Sequence, residues 1–126
     1  MKIAALISRY LLGIVFVVFG ANGFFHFIPM PPMPPSNATT FSLILMSTHY
    51  ALIVSGIQLI GGALLLVNKF VPLALTLLGP VIVNIFLFHA LMAPSGLPLA
   101  MVVIVLWTVV FWQHKASFAG ILSAQG

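Results

Sequence analysis

A chain of 126 residues that is 63% hydrophobic and 3% charged, with a mean hydropathy of +1.30, has lipid as its expected solvent. Four cations and no Asp or Glu cannot cover the outside of a soluble domain of this size. The +4 charge does not indicate nucleic acid, because Lys2, Arg9, Lys69 and Lys115 are scattered instead of forming a basic face. The absence of Cys excludes disulfides, thiolate metal sites and electron relay through protein thiols; the absence of acidic residues excludes a carboxylate proton relay.

Crossing about 30 Å of hydrocarbon takes roughly 20 helical residues. The first such run covers about residues 3–28 and is interrupted only by Arg9, Asn22 and His26. It is longer than the apolar core of a secretory signal, so a retained membrane helix is expected. Residues 29–35 contain five of the nine prolines, which donate no amide hydrogen and favour extended backbone, so the first helix must end there. Residues 36–48 mix Ser, Asn and Thr with Phe41, Leu43, Ile44, Leu45 and Met46, a pattern that fits a short interfacial helix. A second span follows over about 50–67, then the Asn68-Lys69 turn, then a third span over about 71–92 with Pro72 in its first turn. Pro80 is expected to kink this third helix. The turn over residues 93–98 leads into a fourth span over about 99–113, with Trp107 and Trp112 in its second half. The tail after Lys115 is short and mildly apolar. The expected fold is therefore all-α: one integral membrane four-helix bundle of up-down topology, with a short interfacial helix between spans one and two.

Cytoplasmic loops carry the excess of Lys and Arg. In an up-down bundle all four cations fall at one end, whereas the proline-rich loop and the 93–98 turn at the other end carry none. A multi-pass protein of the cell inner membrane with both termini in the cytoplasm is expected.

Polar side chains inside a span are costly and normally face a partner helix or a cavity. Those here are Asn22 and His26 in span one, Gln58 in span two, and Asn84 and His89 in span three, with His49 at the head of span two. The topology brings His26, His49 and His89 to one membrane face. Asn22 and His26 are four residues apart and would share a helix face. Asn84 and His89 are five apart and diverge by about 140° on a regular helix, so they meet only if the Pro80 region is distorted. Gln58 is on the side of Ser55 and Gly62, where small residues admit another helix, and is expected to face inward.

Each of these residues also has a structural reading: the amides as interhelical hydrogen-bonding groups, the histidines as interfacial groups wetted by headgroup water. His114 reads as solvated, and Arg9 as a residue that snorkels to headgroups from inside the first helix. Gly13, Gly20 and Gly23 form a small-residue stripe for helix packing. The acceptor pattern Asn37-Ala38-Thr39 is too common to carry weight.

The segments Arg9-Tyr-Leu-Leu-Gly13, Phe19-Gly-Ala-Asn-Gly-Phe-Phe-His26 and Val71–His89, together with Gly61–Leu66 and Ala93–Leu99, resemble small DoxX-like membrane proteins over about residues 9–100. This resemblance implies a four-helix membrane bundle tied to quinone-dependent or other redox processes, often as a small partner of another protein. Relatives often have Glu where this chain has Gln58, so a family activity needing a carboxylate there would be lost. Two readings of function follow. In the first, Asn22, His26, Gln58, Asn84 and His89 form a cofactor pocket near the outer face, for a quinone headgroup or similar cofactor. Imidazole and amide groups can donate to or accept from a quinone oxygen, but electrons would have to come from a bound cofactor or a partner, so no autonomous catalysis is expected. In the second, the chain is a non-catalytic accessory subunit whose glycine stripes and apolar faces pack against a protein partner in a larger membrane electron-transfer complex, where a His could ligate a haem or chlorophyll-type pigment. A channel is disfavoured by the lack of charged rings and of room for a pore within four helices.

Overall fold

In hydrocarbon each backbone N–H and C=O must find its partner within the protein, and long apolar runs do so most simply as helices. The computed structural model describes residues 2–125, and among them all regular structure is helical. The elements are α1 (Lys2–Phe25), α2 (Asn37–Ser47), α3 (Tyr50–Val67), α4 (Val71–Leu91) and α5 (Leu97–Gln113). A 3-10 turn, Pro94–Gly96, leads into α5, and a 3-10 stretch, Lys115–Leu122, follows it. Four helices are long and apolar enough to cross a membrane: α1, α3, α4, and α5 with its leading turn. The chain is thus a multi-pass membrane bundle. α1 packs on α3 and α5, and α4 packs on the same two, so the four spans close into an up-down ring around one apolar core. Leu12 and Phe16 from α1, Leu65 from α3, Leu75 and Leu78 from α4 and Val110 from α5 fill its interior.

Two boundaries differ from the expectation by two residues or more. α1 stops at Phe25 instead of residue 28, because His26 takes a left-handed conformation (φ 51°) that ends the helix. α5 begins at Leu97, two residues earlier than expected, since Pro98 fits the first turn of a helix, where its missing N–H costs nothing. The tail coils into 3-10 turns and lays Phe118 against Phe111, with ring centroids 4.9 Å apart. α4 is helical without interruption through Pro80. The interfacial helix α2 follows its expected course: Ser36 Oγ caps it by accepting from Thr39 N–H at 3.2 Å. None of its residues is buried, and Phe41 meets Phe88 of α4, with ring centroids 5.8 Å apart.

The tightest packing is between α1 and α3. A methyl group on Gly20 would be 2.6 Å from Leu59 N and 2.8 Å from Ser55 O; one on Gly62 would be 2.7 Å from Val17 N. These obstacles are backbone atoms, so the two helices touch along their main chains, in register from Gly23 beside Ser55 to Gly13 beside Gly62 and Leu66.

This approach also overturns the expectation for Arg9. Its side chain does not reach out to headgroups: the residue is 7% exposed, and Nη1 donates to the carbonyls of Leu65 and Leu66. Those carbonyls belong to the last turn of α3, at the negative end of the helix dipole; Leu65 O also accepts from the capping Asn68 N–H at 3.3 Å. The guanidinium is therefore a C-terminal cap delivered from the neighbouring helix, needed in a chain with no carboxylate to offer.

The backbone contact predicts that Gly20→Ala lowers the melting temperature in detergent, by roughly 1–3 kcal/mol of stability, since α1 and α3 must separate. Gly79→Ala, where the added methyl would be 3.8 Å from Trp107, should be tolerated. Equal melting temperatures for Gly20→Ala and the parent would refute the contact.

Candidate functional site

A cavity of about 350 Å³ lies inside the ring of spans, and all four helices line it. Val15, Phe16 and Phe19 come from α1, Gln58 from α3, Ile85 and His89 from α4, and Leu99, Ala100 and Val103 from α5. Its volume is within the range of small-molecule pockets, and its walls are apolar except for two side chains.

Gln58 is one of them. It continues the buried face of α3, three residues after Ser55 and seven before Leu65, so it points into the bundle. Among the described residues its amide has no hydrogen-bond partner in the chain, and no unpartnered side-chain polar atom is fully enclosed, so the amide can be reached from the cavity. It offers a carbonyl acceptor and an NH2 donor to whatever occupies that space.

His89 is the other. It follows Ile82 and Ile85 on the inward stripe of α4, and its Nδ1 is 2.9 Å from the Ile85 carbonyl. A carbonyl only accepts, so Nδ1 carries the hydrogen and Nε2 of the uncharged ring is left as an acceptor. The Cδ2–Nε2 edge rests on Gly96 in the 3-10 turn; a methyl group there would come within 2.4 Å of Nε2. The Phe88 ring stands edge-on to the imidazole at 5.1 Å. Helix position, one backbone bond, a glycine seat and an aromatic neighbour therefore fix the ring.

Of the five residues expected to form one pocket, the structure unites Gln58 and His89 and leaves three apart. Asn22 is two residues beyond Gly20, about 200° around the helix from the packed face. Its carbonyl accepts from His26 N–H and its Oδ1 from Ile28 N–H, both at 2.8 Å, so Asn22 closes the end of α1. His26 is exposed just past that end. Asn84 is on the outer face of α4, where Nδ2 donates to the Pro80 carbonyl at 2.8 Å. Since α4 is regular through Pro80, the 140° divergence from His89 stands. His49 is exposed at the head of α3 with φ 62°. His26, His49 and His89 share one end of the bundle, but among the described residues no three potential ligands are placed to hold a metal ion.

Sequence reasoning did not find the aromatic and aliphatic wall. Phe16 and Phe19 are set three apart and follow Leu12 on the inward side of α1, a helical spacing that marks them as core without distinguishing a cavity wall from a filled interior. Phe19 and Leu99 are 46% and 57% exposed, the two most exposed residues of the lining. They stand on the adjacent helices α1 and α5, so the lining is most exposed on that side of the bundle. The 3-10 turn that contains Gly96 lies against the His89 ring.

Comparison with family models, curated proteins and solved structures finds no match to this chain.

If Asn22 is a helix-end group, Asn22→Ala should cost about 1 kcal/mol of stability, the value of one hydrogen bond. Any copurifying small molecule should be retained in full. Loss of a ligand at unchanged stability would instead place Asn22 at the binding site.

Proposed function

We propose that this protein binds a lipid-soluble, carbonyl-bearing small molecule of the quinone type in the cavity between its spans, as a DoxX-like, redox-associated component of the membrane. The observation that carries the reading is the pairing of Gln58 and His89 in an otherwise apolar cavity whose most exposed lining residues are Phe19 and Leu99. A quinone oxygen accepts hydrogen bonds and a quinol hydroxyl donates them. Gln58 NH2 serves the first; Gln58 Oε1 and His89 Nε2 serve the second. Phe16 and Phe19 offer ring faces to a flat headgroup, and the exposed side of the lining at Phe19 and Leu99 is where an apolar tail would leave into lipid. Gln58 in place of the Glu common in relatives keeps the hydrogen bonding and loses the proton, so the role is binding and orientation, with electrons supplied by a partner.

The neutral half of the bundle, where the cavity lies, faces the outside in this reading. The one-sided placement of Lys2, Arg9, Lys69 and Lys115 favours that orientation in the inner membrane, with both termini in the cytoplasm. Cysteines introduced at Ser36 and Ser95 should then react with an impermeant thiol reagent added outside intact cells. Reaction only after the cytoplasm is opened would reverse the orientation.

A second reading, an accessory subunit of a larger electron-transfer complex, is favoured by an outward apolar cleft of about 330 Å³ between α4 and α5, lined by Gly79, Phe86 and Trp107 among others. Purification from native membrane in mild detergent separates the two. The pocket reading expects a quinone in the extracted lipid, lost in His89→Ala and Gln58→Leu and kept in His26→Ala. Added back to the depleted protein, a decyl-tailed benzoquinone should quench Trp107 and Trp112 fluorescence saturably in the parent and not in the double variant. A stoichiometric protein partner with no quinone or pigment spectrum, and no saturable quenching, would transfer the case to the accessory role.

A further inference from the structure

The outer face of α4 carries polar groups that lipid cannot satisfy. Leu73, Thr76, Pro80, Val83, Asn84, Leu87 and Leu91 form one stripe, whose leucines and valine are 44–76% exposed. Asn84 is seven residues, about 10 Å, from the end of the helix at Leu91, well inside the hydrocarbon. One N–H of its amide is spent on the Pro80 carbonyl. Oδ1 and the second N–H have no partner in the chain among the described residues. The same stripe holds a second unmet acceptor: Pro80 has no N–H to give the carbonyl of Thr76, and the Thr76 hydroxyl is committed to Pro72 at 2.9 Å. An amide half-satisfied in the middle of a lipid-facing stripe marks a helix–helix contact.

We infer that the partner on this face is a second copy of the chain, packed in parallel along α4 with the two Asn84 amides exchanging hydrogen bonds. An amide is its own complement: each copy keeps one donor and one acceptor free, and two such groups related by a two-fold axis satisfy each other. Copies inserted with the same orientation bring Asn84 to the same depth automatically, whereas a different protein would need a matched polar group at that level. Leu73, Leu87 and Leu91 give the contact apolar flanks above and below the amides. The contact is opposite the inward stripe of Ile82, Ile85 and His89, so it leaves the cavity and its exposed side at Phe19 and Leu99 free and does not depend on the proposed ligand.

The chain has no Cys, so single cysteines report contacts cleanly. In native membranes treated with a short thiol-to-thiol crosslinker, Leu87→Cys should yield an adduct of twice the chain mass, while Leu11→Cys, exposed on α1, should not. Adding Asn84→Leu to Leu87→Cys should cut that adduct about tenfold, as expected on losing paired interhelical hydrogen bonds. The detergent-solubilised Asn84→Leu protein should sediment as a monomer with unchanged helix content. No adduct from Leu87→Cys, an undiminished adduct with Asn84→Leu, or an adduct whose added mass is that of another protein would each overturn the inference.

Discussion

The direct contact between the backbones of α1 and α3 sets the rotation of every other residue that matters here. Gly13, Gly20 and Gly62 have no side chain to hold the helices apart, so main chain meets main chain, and α1 is locked with that stripe toward α3. Once it is locked, Arg9 falls beside the last turn of α3 and finds the carbonyls of Leu65 and Leu66. Phe16 and Phe19 turn toward the space between α3 and α5, where they wall the cavity that Gln58 enters from the other side. Asn22 is carried away from the packed face and is left to finish the helix.

A chain with no acidic residue must neutralise its cations by other means, and the arrangement separates the two ends of the bundle chemically. Arg9 uses helix-end carbonyls, with its guanidinium 4.5 Å from the centre of the Tyr10 ring; Lys115 holds its ammonium 4.1 Å over the Trp112 ring. All four cations are at the end where α3 stops and α4 starts. The other end holds three histidines and no fixed charge. The cavity belongs to this neutral half, where nothing but an amide and an imidazole competes for a ligand. A site of that composition suits an uncharged guest that exchanges hydrogen bonds, and it offers no counter-charge to an ion.

Hydropathy and turn chemistry made the four spans and the interfacial helix legible, because in lipid the requirement for internal hydrogen bonding leaves few alternatives. Periodicity carried Gln58 correctly, since Ser55 and Gly62 mark the face it shares. It also gave the 140° that keeps Asn84 away from His89. The same argument failed for Asn22 and His26 because a four-residue spacing implies a shared face only while the helix continues, and a left-handed residue at 26 ends it first. Arg9 was misjudged for a different reason. The length of the side chain allowed it to reach the headgroups, and only the glycine contact decided that the nearer acceptors would be the ends of α3.

The polar groups of the spans fall into three kinds according to where their second hydrogen-bonding partner comes from. Thr76 and Thr108 donate to the carbonyl four residues back, and Trp107 donates across the bundle to Leu75 at 3.0 Å, so these are settled within the protein. The Gln58 amide faces an interior space, with His89 in the same wall, and has no partner within the chain among the described residues. Asn84 faces outward, with one N–H spent on the Pro80 carbonyl. Leaving polar groups open in hydrocarbon is costly, which is why the second and third kinds carry the two proposals made above. Their geometry differs: Gln58 borders a cavity inside the bundle, whereas Asn84 stands on an outward helical stripe.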